Sequence, residues 1–180
     1  MKDSIRILFV EDVAADAEMI WHEISKSGIV FQKKLVDNRE DYIEALKSFE
    51  PELIISDYSL PQFDGLSALV IKNEEDISIP FILVTGSVNE EIAVEIMKAG
   101  ADDYVIKQNL SRLGPAIQNA MKKWELFREK EAALKNKIEE LEKFNELSVG
   151  RELKMIDLKK EVNQLLLRLG EKEKYKIVEQ

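Results

Sequence analysis

The chain has 180 residues, enough for one compact domain with an appended segment, and its net charge of -9 opposes non-specific attraction to nucleic acid or anionic lipid. The absence of cysteine excludes disulfides, thiolate metal sites and cysteine nucleophiles, and the single histidine, His22, leaves little histidine chemistry. No apolar run approaches the roughly 20 residues of a membrane span and the N-terminus lacks a signal-peptide layout, so we expect a cytoplasmic protein with neither membrane nor nucleic acid as partner.

Five short segments have the composition of β-strands. Residues 5–10, 53–56 and 81–84 are apolar runs of the length expected for strands buried on both faces, as in a parallel sheet. The weaker run 30–36 and the segment 103–106 bring the predicted strands to five.

Helical spacing of apolar residues separates these strands, at residues 19–24, 42–49, 66–71 and 92–97. Gly28 and Gly100 fall where helices should end, and Pro51 and Pro80 precede strands, where a missing amide donor is tolerated. Such alternation implies a parallel sheet with helices on both faces, and right-handed crossovers leave few topologies. We therefore predict an α/β fold, a flavodoxin-like doubly wound sheet of five parallel strands in the order 2-1-3-4-5.

From about Ser111 the strand signals stop and charged residues dominate, which predicts helix. Apolar or small residues follow the heptad rhythm of a coiled coil, at positions 113, 117, 120, 124, 127, 134, 138 and 141. A second phase, at 155, 158, 162, 165 and 169, is offset from the first, so we expect a stammer, kink or break near Gly150. The predicted domains are residues 4–125 and a long helical coiled-coil extension over residues 126–180. The extension either forms a parallel homodimer, which we favour, or folds back on its own domain.

Residues with reactive or charged side chains lie just past the carboxyl ends of four predicted strands. Glu11 and Asp12 follow the first strand, Asp57 ends the third, Thr85 ends the fourth and Lys107 follows the fifth. Ligands of an open parallel sheet bind outside these ends, so the side chains should converge. Three carboxylates within several Å repel one another by roughly a few kcal/mol per pair unless a cation lies among them. The cluster therefore predicts a hard divalent ion such as Mg²⁺, and with Lys107 and Thr85 it suits phosphoryl transfer.

Each of these residues has an ordinary structural alternative when it is taken alone. Asp57 could be a helix cap, and Glu11 with Asp12 could form a solvated turn. Thr85 could be structural and Lys107 a surface lysine. Only the combination of all five positions favours a functional site.

Four segments resemble the response-regulator receiver domains of two-component signalling: V-E-D at 10–12, D-Y-S-L-P at 57–61 with D-G at 64–65, L-V-T-G at 83–86, and G-A-D-D-Y-V-I-K at 100–107. By that resemblance, Asp57 accepts a phosphoryl group from a histidine kinase or phosphotransfer protein. Glu11 and Asp12 would hold Mg²⁺ together with Asp57, and the backbone carbonyl of Ser59 would also coordinate. The resemblance covers residues 4 to about 125.

The same resemblance implies a conformational switch, in which the hydroxyl of Thr85 is paired with the aromatic side chain of Tyr104. Lys107 would stabilise the phosphoryl group. The sequence departs from the family at Gln108, because proline, often through a cis bond, usually follows the lysine there.

Three hypotheses follow for function. The first is a phosphorylation-driven switch, not an enzyme beyond self-catalysed phosphoryl transfer and slow autodephosphorylation; the second is a constitutive scaffold with little phosphorylation. The third, an aspartate-nucleophile phosphohydrolase, is disfavoured because Ser59 stands where its second catalytic aspartate would be. Ser59 and Ser87 also occupy the positions where the family tunes the lifetime of its acyl phosphate. Segments 140–147 and 150–163 resemble the helical linkers of sensor kinases, which implies an output on another polypeptide or domain.

Overall fold

The structure is a computed structural model that describes residues 4–61, 63–75, 77–86 and 90–176, without the side chains of 90–93, 146–149 and 152. The described residues up to Phe127 form one compact unit, and those from Arg128 onward form a second. Within these ranges, no helix is long and apolar enough to cross a membrane.

The first unit is built on a parallel β-sheet. Its described strands are β1 (Ile5–Val10), β2 (Phe31–Val36), β3 (Leu53–Asp57), β4 (Phe81–Thr85) and β5 (Asp103–Ile106). They lie in the order β2-β1-β3-β4-β5, and all neighbouring pairs are parallel. The predicted strand order is confirmed, and β3 and β4 are buried along their whole length.

Helices pack on both faces of this sheet. They are α1 (Ala14–Lys26), α2 (Arg39–Ser48), α3 (Gly65–Glu74) and α4 (Glu90–Lys98), followed by a 3₁₀ helix (Lys107–Arg112) and α5 (Leu113–Arg168). One core cluster contains Tyr42 of α2 and Leu69 of α3, both fully buried. The other contains Ile24 of α1 and Leu113 of α5, also fully buried. The flavodoxin-like doubly wound fold is therefore confirmed.

The helix ends show how local chemistry sets these boundaries. Asn38 caps α2, because its side-chain oxygen accepts a hydrogen bond from the backbone N–H of Asp41 at 2.9 Å. Gly28 and Gly100 adopt φ values of 77° and 102°, a left-handed conformation that costs glycine little and so ends α1 and α4.

A polar cluster ties the helices together at the amino end of β4 and β5. Asp102, whose side chain is 3% exposed, accepts hydrogen bonds from Lys123 Nζ at 2.8 Å. Its other oxygen accepts from the indole N–H of Trp124 at 2.8 Å and from the backbone N–H of Phe81 at 3.1 Å. Lys72 of α3 lies with its Nζ 5.4 Å from the centre of the Trp124 ring. One carboxylate thus links β4 and the residue before β5 to α5.

The second unit contains the rest of α5. Its helix continues through Gly150 to Arg168, so of the stammer, kink or break expected near Gly150 the break is wrong, and a stammer or kink there stays a prediction. Glycine in a helix costs about 1 kcal/mol relative to alanine but keeps its N–H and C=O, so the hydrogen-bond ladder can continue. Gly170, with φ of 80°, follows the end of the helix.

The chain after Gly170 returns to α5 at Asn163, which is 5% exposed. The Asn163 oxygen accepts hydrogen bonds from the backbone N–H groups of Lys174 and Tyr175, each at 3.0 Å. Its amide nitrogen donates to the Tyr175 carbonyl at 2.7 Å. A helical extension was predicted over residues 126–180, but the described residues 171–176 form a non-helical strap that the Asn163 side chain binds.

Candidate functional site

Three carboxylates meet at the carboxyl ends of β1 and β3. Because these strands are neighbours, with Val10 opposite Ser56, the acids that follow them come together. Glu11, Asp12 and Asp57 each contribute an oxygen, and these atoms all lie within 4.8 Å of one another. Glu11 and Asp57 are 2% and 8% exposed, whereas Asp12 is exposed. The three side chains therefore lie close together, as the sequence predicted.

Lys107 enters this acidic pocket from the segment that follows β5. Its Nζ donates to Asp57 Oδ2 at 2.8 Å and to Glu11 Oε2 at 2.9 Å. A third bond, at 2.5 Å, goes to Asp16 Oδ2 in the first turn of α1. The presence of Gln108 in place of a proline therefore does not keep the lysine from the pocket.

Asp16 was not singled out from the sequence. Its signal is weak, because an acid in the first turn of a helix is usually explained by the helix dipole. It lies four residues after Asp12, in the first turn of α1, where its carboxylate reaches the Nζ of Lys107 beside the cluster.

The charges in the pocket are unbalanced. Burial raises the pKa of Glu11, and hydrogen bonds from Lys107 and from the Val13 backbone N–H only partly offset this. Partial burial lowers the pKa of Lys107, but its hydrogen bonds to Asp16, Asp57 and Glu11 outweigh that effect and raise it. The lysine stays an ammonium, and one positive charge faces four acids. Oxygen ligands with excess negative charge are the set that fits a hard cation such as Mg²⁺.

The main chain orients the carboxylate of Asp57. Its Oδ1 accepts hydrogen bonds from the backbone N–H groups of Tyr58 at 2.6 Å and Ser59 at 3.4 Å.

A side chain at Gly65 would not fit, because an added Cβ would lie 2.5 Å from the Asp57 carbonyl oxygen and 2.6 Å from Leu83 Cδ1. The D-G pair at 64–65 thus has a physical reason, since only glycine lets α3 begin this close to β3.

Thr85 lies on β4, the neighbour of β3, and Tyr104 lies on β5, at the edge of the sheet. Thr85 is the last residue of β4 and is 8% exposed. Tyr104 is half-buried against the core on the α2 and α3 side, and the guanidinium carbon of Arg112 lies 5.8 Å from its ring centre. Gln108 donates from Nε2 to the Gly86 carbonyl at 2.7 Å. Ser87 lies outside the described residues, and the metal-binding role of the Ser59 carbonyl stays a prediction.

Comparison with known proteins gives consistent matches. The family model of the response regulator receiver domain matches residues 7–118. The transcriptional regulatory protein PhoP of Escherichia coli (strain K12) is 36% identical over 106 residues, which are 57% of this chain and 45% of PhoP. The chain thus spans less than half the length of this relative.

Solved structures match the first unit as well. The signal receiver domain of a signal transduction histidine kinase from Syntrophus aciditrophicus is 30% identical with a TM-score of 0.57, covering 66% of this chain and 91% of that one. The Mn²⁺-bound form of the response regulator Rcp1 is 26% identical with a TM-score of 0.54, covering 63% of this chain and 91% of that one.

Proposed function

Because the chain belongs to the response regulator receiver family, we propose that it is a phosphoacceptor switch that takes a phosphoryl group on Asp57 from a histidine kinase or phosphotransfer protein. One observation supports Asp57 as the phosphoacceptor. The Asp57 carboxylate ends the central strand β3, and its two oxygens are held by Lys107 and by backbone amides inside the acidic pocket. It is thus an oriented nucleophile beside a cation.

In the proposed transfer, a carboxylate oxygen of Asp57 attacks the phosphorus atom of a phosphohistidine, and the bond from phosphorus to the imidazole nitrogen breaks. The product is an acyl phosphate on Asp57 and a free histidine on the donor. The ammonium of Lys107 lies 2.8 Å from Oδ2 and so can stabilise charge on the phosphoryl oxygens. Thr85 would contribute its hydroxyl from the end of β4.

Glu11, Asp12 and Asp57, with the Ser59 carbonyl, would hold Mg²⁺ in this proposal. The bound ion would neutralise negative charge on the phosphoryl group as the new bond forms. The Mn²⁺-bound form of Rcp1 supports a divalent ion in a related receiver. After phosphorylation, Thr85 and Tyr104 would reposition and change the surface that a partner contacts.

The test is modification by acetyl phosphate with Mg²⁺, followed by mass spectrometry of the intact protein and its peptides. We expect one phosphoryl group on wild type and none on Asp57→Asn. Asp64→Asn is the matched control, because Asp64 caps α3 through the Ser67 N–H and asparagine also caps. A wild type that gains no mass would favour the alternative, a constitutive scaffold, and an Asp57→Asn variant that gains as much would refute the assignment.

We also propose that residues 126–180 join two copies of the chain through a parallel coiled coil and relay the signal of domain 4–125 to an output partner. Within the single chain, the seam residues Leu134, Ile138 and Leu141 are 62%, 48% and 56% exposed. Met155, Leu158 and Leu165 of the second phase are about half exposed. A stripe of this kind is typical of a coiled-coil seam, and the strap held by Asn163 leaves these residues open.

Sedimentation equilibrium tests the dimer. We expect the full chain to be dimeric at tens of micromolar, both as wild type and as Asp57→Asn, and a chain cut after Arg128 to be monomeric. Leu134→Glu should weaken the dimer, whereas Asn136→Glu, on the opposite side of the predicted heptad, should not. A monomeric full chain would contradict the proposal. The alternative, in which the extension folds back on its own domain, would need a sharp turn at Gly150, and the continuous helix there disfavours it.

A further inference from the structure

Gln108 makes a contact between two segments at the carboxyl end of the sheet. Its side-chain nitrogen donates a hydrogen bond to the Gly86 carbonyl oxygen at 2.7 Å, and the two residues are 22 positions apart in the chain. Both residues are exposed. The bond thus bridges the turn that leaves β4 and the 3₁₀ helix that follows β5.

The two ends of this bond lie next to the residues assigned to the phosphoryl group. Gly86 follows Thr85 directly, and Gln108 follows Lys107 directly. Their strands are neighbours, with Thr85 opposite Ile106. A movement of the Thr85 backbone toward Asp57 would also displace the Gly86 carbonyl relative to Gln108, because Gly86 is the next residue in the chain.

Side-chain packing does not hold Gly86 in place. A Cβ added there would meet no atom within 4 Å. The hydrogen bond from Gln108 is accordingly the described side-chain restraint on the Gly86 carbonyl.

We propose that Gln108 is a positioning residue that holds the Thr85 turn in its unphosphorylated position and so opposes the switch. This rests on the proposed function, since it assumes that Thr85 moves when Asp57 is modified. The restraint is carried by the side-chain N–H donor, which the proline usual at this place in the family lacks. Its loss should favour the switched state by about two- to tenfold, the range for one hydrogen bond between neutral groups.

The experiment compares Gln108→Met, which keeps the length of the side chain but removes the donor, with wild type. The probe is beryllium fluoride at saturating Mg²⁺, and the affinity of the protein for beryllium fluoride is measured by NMR titration. Asn109→Ala is the control, because Asn109 is the adjacent exposed amide and its described side-chain contact is with Ser111. Gln108→Ala is a second variant that removes the donor by another route.

We expect Gln108→Met and Gln108→Ala to bind beryllium fluoride two- to tenfold more tightly than wild type, with Mg²⁺ affinity unchanged. Amide hydrogen exchange near Gly86 should also be faster in both variants without any ligand. Equal or weaker binding of beryllium fluoride by the two variants would overturn the proposal while leaving the phosphoacceptor function intact. A wild type that does not bind beryllium fluoride at all would instead overturn the function, and this inference with it.

Discussion

The two ends of the β-sheet each hold a buried aspartate with a lysine, but their charges are arranged differently. At the carboxyl end, Lys107 is shared by Glu11, Asp16 and Asp57, and Asp12 lies beside them. At the amino end, the carboxylate of Asp102 is surrounded by donors on α5 and by the backbone N–H of the first residue of β4. The carboxyl end has more negative charge than Lys107 balances. At the amino end, each carboxylate oxygen of Asp102 has a hydrogen-bond donor.

The pKa shifts of half-buried Lys107 and of buried Lys72, which lies near Asp102, differ accordingly. Burial lowers the pKa of both, but the carboxylates around Lys107 raise its pKa above the ordinary value. The pKa of Lys72 stays lowered, because burial outweighs the attraction of Asp102. We therefore expect the excess of acids around Lys107 to mark the end of the sheet that binds a cation, whereas Asp102 links β4 to α5.

The largest expected effect is at the amino end. Asp102→Ala would leave the N–H groups of Trp124 and Phe81 without their acceptor and Lys72 without its nearby charge. We expect the free energy of unfolding to fall by about 3 kcal/mol. Urea denaturation followed by tryptophan fluorescence measures this, since both tryptophans, Trp21 and Trp124, lie in the first unit.

The neighbouring Asp103→Ala is the matched control for this variant. Asp103 pairs with Arg112, whose side chain is 49% exposed, so its loss should cost less than about 1 kcal/mol. If the free energy of unfolding falls equally in the two variants, Asp102 contributes no more than an exposed surface acid, and the proposed difference between the two ends of the sheet is contradicted.

The next largest effect is expected on Mg²⁺ binding at the carboxyl end of the sheet. Asp12→Ala removes one oxygen ligand and one negative charge from the acidic pocket, so we expect Mg²⁺ affinity to fall about tenfold or more, which is about 1.4 kcal/mol. Titration of Mg²⁺ followed by NMR tests this. Asp103→Ala removes the same charge from the amino end of β5 and should leave the affinity nearly unchanged. The same titration curve for Asp12→Ala and wild type would contradict the proposed metal site.

The sequence predicted the fold more completely than the contacts between elements. β3 and β4 were found because continuous apolar runs signal burial on both faces, and Asp57 and Thr85 followed from the ends of those runs. The bonds of Asp16 to Lys107 and of Asp102 to Trp124 were missed. They join residues 91 and 22 positions apart, and such pairs depend on how helices pack on the sheet rather than on any period.

The helix break, one of the outcomes expected near Gly150, is wrong for a different reason. A change of heptad phase and a glycine both weaken a helix locally, but neither removes a backbone hydrogen bond. The strap after Gly170 was also missed, since it depends on a single side chain, Asn163, whose amide pairs with the backbone of Lys174 and Tyr175. Nothing in the spacing of polar residues indicates that contact.

The smallest expected effect is also at the amino end, in Lys72→Met. Burial lowers the pKa of Lys72, so folding at neutral pH includes the cost of keeping its ammonium away from water. Methionine has a similar length and no charge, and we expect the variant to be more stable than wild type by up to about 1 kcal/mol at pH 7. Between the lowered pKa of the folded state and the ordinary value of 10.5, the unfolded chain binds more protons, so the stability of wild type rises with pH across that window. The advantage of Lys72→Met should therefore shrink as the pH approaches 10.

Urea denaturation at several pH values measures this difference in stability. Lys98→Met, on the exposed side of α4, is the control that should show no such trend. A Lys72→Met variant that is less stable than wild type at pH 7 would contradict this prediction. It would mean that Asp102 and the Trp124 ring stabilise the Lys72 ammonium by more than burial destabilises it, as the acids do for Lys107.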